Sequence, residues 1–158
     1  MPDSIIKSIL RPVEPLSADE VVGVAARRVL DSALPGLPAV EESGKFAGIF
    51  GEREFMAALF PGYLRELSSA AMVRRSIDET IERRESCRGE SIRQHLTTDH
   101  VTVKDQYSDT QLVEIFLHHR VLVVPITTEG RITAVVTRAD FFAELLGKFE
   151  GAGGSPIY

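Results

Sequence analysis

Apolar and polar positions follow the same order in two separate stretches of the chain. The stretches GKFAGIFGEREFMAALF and GRITAVVTRADFFAELL superimpose without a gap, so that Phe55 falls on Phe141. In the second stretch, Ile132, Ala134 and Val136 fall on one face of an alternating pattern, which indicates a strand. An apolar run with helical spacing follows at once. Each stretch therefore predicts a strand that runs directly into a helix.

A further strand and a further helix precede each stretch. LPAVEES in the first copy matches VPITTE in the second once one residue is gapped, so Pro38 falls on Pro125. In the second copy we predict strands at 122–126 and 131–136, joined by a turn at Glu129-Gly130. Upstream again, SADEVVGVAARRVL and SDTQLVEIFLHH have helical spacing, with Ser17 and Ser108 as predicted N-caps.

The repeat predicts an α/β chain, more narrowly α+β, built from two helix–strand–strand–helix units. One such unit is too small to bury its own faces well, so two copies should pack around a shared core with two equivalent clefts between them. We predict a first unit at 1–60, a helical insertion or linker at 61–91, a second unit at 92–150 and a flexible tail at 151–158.

Composition narrows the class of protein. The chain has 158 residues, 44% of them hydrophobic, and a formal net charge of −5. An acidic chain repels the phosphate backbone, so we predict no nucleic-acid partner. Neither a secretion signal nor an apolar run of membrane-spanning length is present, which predicts a cytoplasmic protein with no membrane partner. The single cysteine, Cys87, fits a reducing compartment, and we interpret it as an incidental surface thiol.

The insertion has no counterpart elsewhere in the repeat. Residues 63–85 have an approximate apolar stripe and mixed charge, which predicts a largely helical segment. We interpret it as a solvated helix on the edge of the pair, and a dimer contact or a lid over one cleft is the alternative. The stripe consists of Leu64, Leu67, Ala71, Ile77 and Ile81.

The order of these features resembles a CBS domain. It runs apolar-Pro-apolar, acidic turn with Gly, apolar strand, Thr-x-x-Asp and apolar helix, and its repetition resembles the tandem pair known as a Bateman module. The segment IRQHLTTDHVTVKDQYSDTQL is also similar to the strand that leads into a domain of this family. The resemblance is strong in 94–146, weaker in 12–60 and absent from 61 to about 89. It implies a regulatory ligand such as AMP, ATP or a related adenosyl compound.

Thr137-x-x-Asp140 allows two interpretations. Both side chains can satisfy free N–H groups at a helix start, which makes a simple cap. In the binding interpretation, implied by the resemblance, the Thr137 hydroxyl and Arg138 bind a phosphate while Asp140 accepts the ribose hydroxyls. Apolar groups nearby would hold the adenine. The predicted ligand-binding set is Val101, Thr102, Val124, Pro125, Thr137, Arg138 and Asp140.

The first copy departs from this pattern. Gly51 replaces the threonine, Glu54 replaces the aspartate, and Glu52 stands where Arg138 stands and would repel a phosphate. Arg53 lies at a different helical angle from Arg138. We therefore predict a degenerate second site at Gly51, Arg53 and Glu54 that binds weakly or not at all.

Other chemistry is not indicated. His118 and His119 are adjacent on a predicted helix and cannot both face one metal ion. The sequence contains no HExxH, no cysteine pair, no GxSxG elbow and no glycine-rich phosphate loop. We predict no metal, no catalytic residues and no enzymatic activity.

These features favour a regulatory module that binds an adenosyl nucleotide in the second-unit cleft and shifts the arrangement of domains or of a dimer. The alternative is a dimeric protein-interaction module whose clefts are vestigial and bind nothing. In both cases we expect a homodimer and a regulated protein that the sequence does not identify. The dimer is predicted on the apolar helix faces Phe55, Met56, Leu59, Phe141, Phe142, Leu145 and Leu146.

Overall fold

The computed structural model describes residues 4–61, 76–98 and 104–153. In chain order the elements are α1 Ile5–Ile9, β1 Arg11–Pro12, β2 Leu16–Ser17, α2 Val22–Ser32, β3 Gly36–Val40, β4 Phe46–Gly51, α3 Glu52–Leu59, α4 Ile77–Arg83, α5 Asp109–His118, β5 Val123–Thr128, β6 Arg131–Thr137 and α6 Arg138–Ala152. Short 3-10 helices lie at Glu85–Gly89 and Ile92–His95. Helices and strands are thus mixed, as the α+β prediction requires.

The chain forms two compact units, which we describe separately. The split unit contains Met1–Pro15 and Asp99–Tyr158, and the continuous unit contains Leu16–Thr98. The split unit therefore combines the N-terminal segment with the second sequence repeat. The predicted repeat boundaries, 1–60, 61–91, 92–150 and 151–158, concern the duplication of sequence and stay a prediction.

The split unit is built on a three-stranded antiparallel sheet in the order β1-β6-β5. β5 and β6 form the predicted hairpin, and both Glu129 and Gly130 in its turn have positive φ angles, 54° and 78°. A two-residue turn of this hand matches the twist of the flanking strands. The predicted strands and turn of the second copy are confirmed.

One face of this sheet is covered by helices. Val124 and Ile126 of β5 and Ala134 and Val136 of β6 lie in a buried cluster with residues of α1, α5 and α6. The rings of Phe116 and Phe141 in this layer have centroids 5.5 Å apart. The remaining buried members are Ile5, Ile6, Ile9, Tyr107, Leu112 and Phe141.

The two predicted N-caps have different outcomes. Ser108 caps α5 in a full capping box with Gln111, as predicted. Ser17 is not a helix cap, because α2 begins five residues later with Val21 as its N-cap. The Ser17 hydroxyl instead accepts a hydrogen bond from the backbone N–H of Asp19 at 3.2 Å. The short polar side chain caps a turn, which the sequence pattern does not distinguish from a helix start.

The continuous unit contains a second three-stranded sheet, β2-β3-β4, in which β2 is parallel and β4 antiparallel to β3. Thr97 forms an isolated antiparallel bridge to Ile49 of β4, with N···O distances of 2.9 and 3.0 Å. This bridge passes close to Gly48, where a Cβ atom would lie 2.8 Å from the Leu96 Cβ atom. Glycine at this position therefore permits the segment before the second repeat to bond to the first.

The insertion is described only in its second half. α4 occupies Ile77–Arg83, and the Ser76 hydroxyl caps it by accepting from the Glu79 backbone N–H at 3.1 Å. Ile77 and Ile81 are exposed rather than packed. Leu64, Leu67 and Ala71 lie outside the described residues, so the longer predicted helix is described only at this end.

Membrane insertion by a helix has no support in the described part of the chain. None of the helices there is long and apolar enough to span a bilayer.

Cys87 is buried, so its interpretation as a surface thiol is wrong. It is 1% exposed and lies in the 3-10 segment that packs on α2. Burial raises the pKa of the thiol, and the neighbouring Arg84 guanidinium only partly offsets this effect. Flanking arginines are typical of an exposed segment, but tertiary packing covers the sulfur.

We predict that the Cys87 thiol is protected from a thiol-specific reagent in the native protein and reacts once the chain is unfolded. A buried thiol with a raised pKa offers little thiolate to the reagent. Absorbance assays in buffer and in guanidinium chloride measure this difference. The Glu42→Cys variant supplies an exposed control thiol, and equally fast native reaction of both thiols would contradict the buried position.

Gly51 ends β4, opposite Gly36 of β3, in a space that admits no side chain. A Cβ atom there would lie 2.3 Å from the Pro35 carbonyl oxygen and 2.7 Å from the Gly36 Cα atom. Both neighbours are backbone, so they cannot move aside by changing rotamer. The same Pro35 oxygen accepts from the Glu52 N–H at 3.0 Å, which holds the start of α3 against the strand.

Gly51→Ala should therefore lower the free energy of unfolding by at least about 1–3 kcal/mol, the usual cost of overpacking. Gly147→Ala is the matched control, because Gly147 lies inside α6 and a Cβ atom added there would meet nothing within 4 Å. That change should raise stability by roughly 0.5–1 kcal/mol through helix propensity. Urea denaturation measures both, and a neutral effect at position 51 would contradict the close approach.

Candidate functional site

The junction between β6 and α6 holds three of the predicted binding residues. Thr137 is buried at the N-cap of α6, and its hydroxyl oxygen accepts a hydrogen bond from the Asp140 backbone N–H at 3.1 Å. The Arg138 N–H donates to the Leu122 carbonyl at 2.9 Å, while the Arg138 side chain is exposed. The capping role of Thr137 is confirmed.

Asp140 does not complete this cap as a reciprocal partner but forms an ion pair with Arg11. The Arg11 Nε lies 2.6 Å from one carboxylate oxygen of Asp140, and one terminal nitrogen lies 3.1 Å from the other. The Arg11 hydrogen bond lowers the pKa of the Asp140 carboxyl, and the carboxylate raises the pKa of Arg11. Asp140 is therefore an ionised acceptor, 26% exposed in its side chain.

Arg11 is not among the residues predicted from sequence for this site. It lies on β1, where it pairs with Val135 of β6, two residues before Thr137. The contact between Arg11 and Asp140 spans most of the chain length. The RPVEP motif around Arg11 contains no feature that predicts it. Only the pairing register of β1 with β6 brings the guanidinium to the carboxylate.

The predicted adenine-contacting residues of β5 point to opposite faces of the sheet. Val124 and Pro125 are both fully buried, but adjacent strand residues alternate in direction. The Val124 side chain belongs to the helix-covered core, where it packs with Val136 and Leu112. Pro125, which pairs with Val135, is thus the member of the pair on the other face.

Two further predicted binding residues, Val101 and Thr102, lie outside the described part of the chain. The description resumes at Lys104, whose carbonyl accepts from the Thr127 N–H at 3.2 Å. Next to it, Asp105 accepts a hydrogen bond from the Thr127 hydroxyl. These contacts attach the start of the second repeat to β5.

The equivalent junction of the first repeat is arranged differently. Gly51 is the N-cap of α3 and offers no side-chain acceptor. The Glu54 carboxylate is buried and accepts a hydrogen bond from the Thr97 hydroxyl at 2.8 Å. Glu52 and Arg53 are exposed. The first repeat thus lacks the hydroxyl that would bind a phosphate, and its acidic residue already accepts a hydrogen bond inside the fold.

The two junctions nevertheless have the same arrangement of donor and acceptor residues. Arg11 pairs with Val135 and Thr97 bridges to Ile49, and these two partners occupy the same position in the repeat. Arg11 lies before the first repeat and Thr97 lies before the second. Each bonds the acidic residue in the first turn of the helix that follows the strand with which it pairs. A charged donor serves Asp140, whereas a neutral donor serves Glu54.

A separate groove opens in the continuous unit, with a volume of about 1180 Å³. Apolar residues from α2, α3 and α4 contribute most of its wall, among them Val24, Phe55 and Ile81. The binding residues predicted in the second repeat belong to the split unit and do not line this groove. Of the predicted degenerate site, only Gly51 does so.

Metal chemistry has no visible basis at these sites. Within 4–61, 76–98 and 104–153, no group of three or more His, Cys, Asp or Glu side chains is suited to hold a metal ion.

Comparisons with known proteins identify the fold. No protein-family model matches the sequence, and a comparison with curated protein sequences gives no match either. The CBS domain of a CBS-domain-containing membrane protein from Sphaerobacter thermophilus is 21% identical to this chain, with a TM-score of 0.66. That match covers 89% of this chain and 86% of the other.

Two similar structures contain adenine nucleotides. CBSX2, solved in complex with AMP, is 13% identical with a TM-score of 0.63, and the match covers 92% of this chain and 98% of that one. CbpB, solved in complex with c-di-AMP, is 10% identical with a TM-score of 0.58, covering 94% and 89%. The chain therefore has the fold of the CBS-domain-containing proteins over most of its length, which confirms the fold predicted from the sequence resemblance.

Proposed function

We propose that this protein is a regulatory module that binds an adenosyl nucleotide, of the AMP or ATP kind, at the β6–α6 junction of the split unit. The observation that carries the proposal is the ionised, partly exposed Asp140 carboxylate beside Thr137 in the first turn of α6. It performs no catalysis in this proposal, since no nucleophile–base pair accompanies these groups among the residues that the structure describes. The AMP and c-di-AMP complexes of CBSX2 and CbpB support the choice of ligand class.

The residues have complementary roles toward such a ligand. The exposed Arg138 supplies a charge-assisted donor for a phosphate, and the Asp140 carboxylate accepts the two hydroxyls of a ribose. The prediction from sequence places Pro125, Val101 and Val124 against the base, with Thr102 beside them. The capping bond of Thr137 does not exclude a second bond to phosphate, because a hydroxyl both donates and accepts.

Regulation follows from differential binding. A ligand shifts an equilibrium between two arrangements only by the difference in its affinity for them. We expect the shift to act on a second, regulated protein, which the residues of this chain do not identify. The first repeat takes no part in ligand binding, since Gly51 and the occupied Glu54 provide neither phosphate nor ribose contacts.

The alternative is a dimeric protein-interaction module whose predicted sites bind nothing. Exposed apolar side chains favour it: Phe142, Leu145, Leu146 and Phe149 form one stripe along α6. A thermal-shift panel of AMP, ATP, c-di-AMP and S-adenosylmethionine separates the two functions. A ligand that binds only the folded state raises stability by RT ln(1 + [L]/Kd), whereas vestigial sites give no shift with any compound.

We predict that Asp140→Asn weakens binding of the nucleotide found in this panel by roughly tenfold to a hundredfold. Two hydrogen bonds to a full carboxylate charge are lost, which corresponds to about 1.5–3 kcal/mol. The change should cost the fold only about 0.3–1 kcal/mol through the helix dipole. Calorimetry and thermal denaturation measure the two quantities, with one ligand per chain expected in the unmodified protein.

Glu54→Gln is the control, because Glu54 occupies the equivalent position of the first repeat and accepts from Thr97. It should leave nucleotide binding almost unchanged. If Asp140→Asn lowers the melting temperature by several degrees while binding is untouched, the Thr137-x-x-Asp140 motif is only a helix cap. Two sites of equal affinity per chain would contradict the asymmetry between repeats.

We also propose that a second copy of this chain covers the α6 stripe in a two-fold dimer. The stripe is self-complementary in the way that an isologous interface requires, since its apolar residues recur along a single helix face. Phe141, included in the face predicted from sequence, is instead buried in the core of its own unit. Of the residues predicted on α3, Met56 is exposed, while Phe55 and Leu59 are partly buried.

Phe142→Glu combined with Phe149→Glu should convert the dimer to a monomer at micromolar concentration, because buried charge without a partner opposes association. These side chains are 63% and 68% exposed, so the fold of each copy should tolerate the change. Light scattering gives the mass. Leu117→Glu, at an exposed position on α5, is the control and should leave the mass unchanged. A monomeric unmodified protein would contradict the proposal.

A further inference from the structure

The donors that hold the two acidic residues differ in charge. Thr97 presents one hydroxyl to one oxygen of Glu54, whereas Arg11 engages both oxygens of Asp140. Arg11 and Thr97 occupy equivalent places, because each lies opposite the same repeat position on the strand that leads into the helix. The repeat with the more complete predicted site therefore has the stronger internal partner for its carboxylate.

Arg11 occupies the same groups that a ribose requires. A cis-diol binds a carboxylate through both oxygens, and the planar guanidinium of Arg11 already bonds both. Bound ribose and the Arg11–Asp140 ion pair thus compete for one acceptor. The Arg11 side chain is 48% exposed, so its guanidinium can rotate away from Asp140 and bind another anion.

We propose that Arg11 is a specificity-determining residue, whose ion pair with Asp140 is displaced only by an adenosyl ligand that carries a phosphate. This inference rests on the proposed nucleotide site. A nucleoside that displaces Arg11 leaves the guanidinium without its carboxylate. A nucleotide offers its own phosphate to the same guanidinium, so the displaced charge gains a new partner. A cationic adenosyl compound such as S-adenosylmethionine provides no such partner and is repelled.

The test compares AMP with adenosine, which differ only in the phosphate. Calorimetry on the unmodified protein should give at least roughly tenfold tighter binding of AMP. Arg11→Thr places the first repeat's residue at this position. It should strengthen adenosine binding, because Asp140 is released, and weaken AMP binding, because a phosphate donor is lost. The AMP-to-adenosine affinity ratio should therefore collapse.

Arg11→Lys separates charge from geometry and remains informative if Arg11→Thr folds poorly. Lysine retains the positive charge for phosphate but cannot form the two-point contact with Asp140. Adenosine binding should strengthen while AMP binding is largely kept, so the ratio falls by less. Arg93→Thr is the matched control, because Arg93 is an exposed arginine paired with both oxygens of Glu41 in the continuous unit. Its ratio should equal that of the unmodified protein.

An unchanged ratio in both Arg11 variants, with AMP still bound, overturns the role of Arg11 and leaves the proposed function intact. Equal affinities for AMP and adenosine in the unmodified protein also overturn the role of Arg11, and they contradict the phosphate contact proposed for Arg138. Failure of AMP, ATP and adenosine to bind the unmodified protein or any variant overturns the proposed function and this inference with it.

Discussion

The antiparallel pairing of β1 with β6 determines how the split unit is built. This two-residue strand aligns Arg11 with Val135 and Pro12 with Ala134. α1 immediately precedes it, and its isoleucines enter the core formed by α5, α6 and the hairpin. Without this pairing the second repeat would leave the helix-covered core incomplete and the Asp140 carboxylate without its guanidinium. A segment that lies outside the repeat in sequence is thus part of its fold.

The two repeats form the same strand-to-helix junction with different residues. Each strand must turn into a helix, and each helix start needs acceptors for its free N–H groups. The second repeat uses the Thr137 hydroxyl, so the Asp140 side chain is not needed for the cap and pairs with the exposed Arg11 instead. The first repeat turns through Gly51, where backbone contacts exclude any side chain, and buries Glu54. A helix cap and the proposed nucleotide site are therefore compatible in the second repeat, while the tight packing at Gly51 and the burial of Glu54 leave neither residue for such a site in the first.

Local features of the fold could be predicted from sequence, and contacts between distant segments could not. The β5–β6 hairpin, its turn and the Ser108 cap follow from spacing within a few residues, so pattern alone was sufficient. Ser17 shows the limit of that approach, because a turn and a helix start use the same side chains. The burial of Cys87 and the pairing of Arg11 with Asp140 depend on tertiary packing. The position of Thr137 and Asp140 at a strand–helix junction could be predicted from sequence, but the pairing of Asp140 with Arg11 could not.

Stability does not explain why an arginine occupies this position. Ion pairs between exposed side chains contribute little to folding, because water screens them and both side chains lose conformational freedom. β1 is already held by its pairing with β6 and by the packing of α1. The equivalent place in the first repeat is served by a threonine, so the fold itself does not require a charge there. Because the ion pair contributes little to folding, a ligand that takes over the carboxylate and gives the guanidinium a phosphate can replace it without destabilising the fold. The same exposure that makes the ion pair unimportant for folding suits the ligand discrimination that we propose for Arg11.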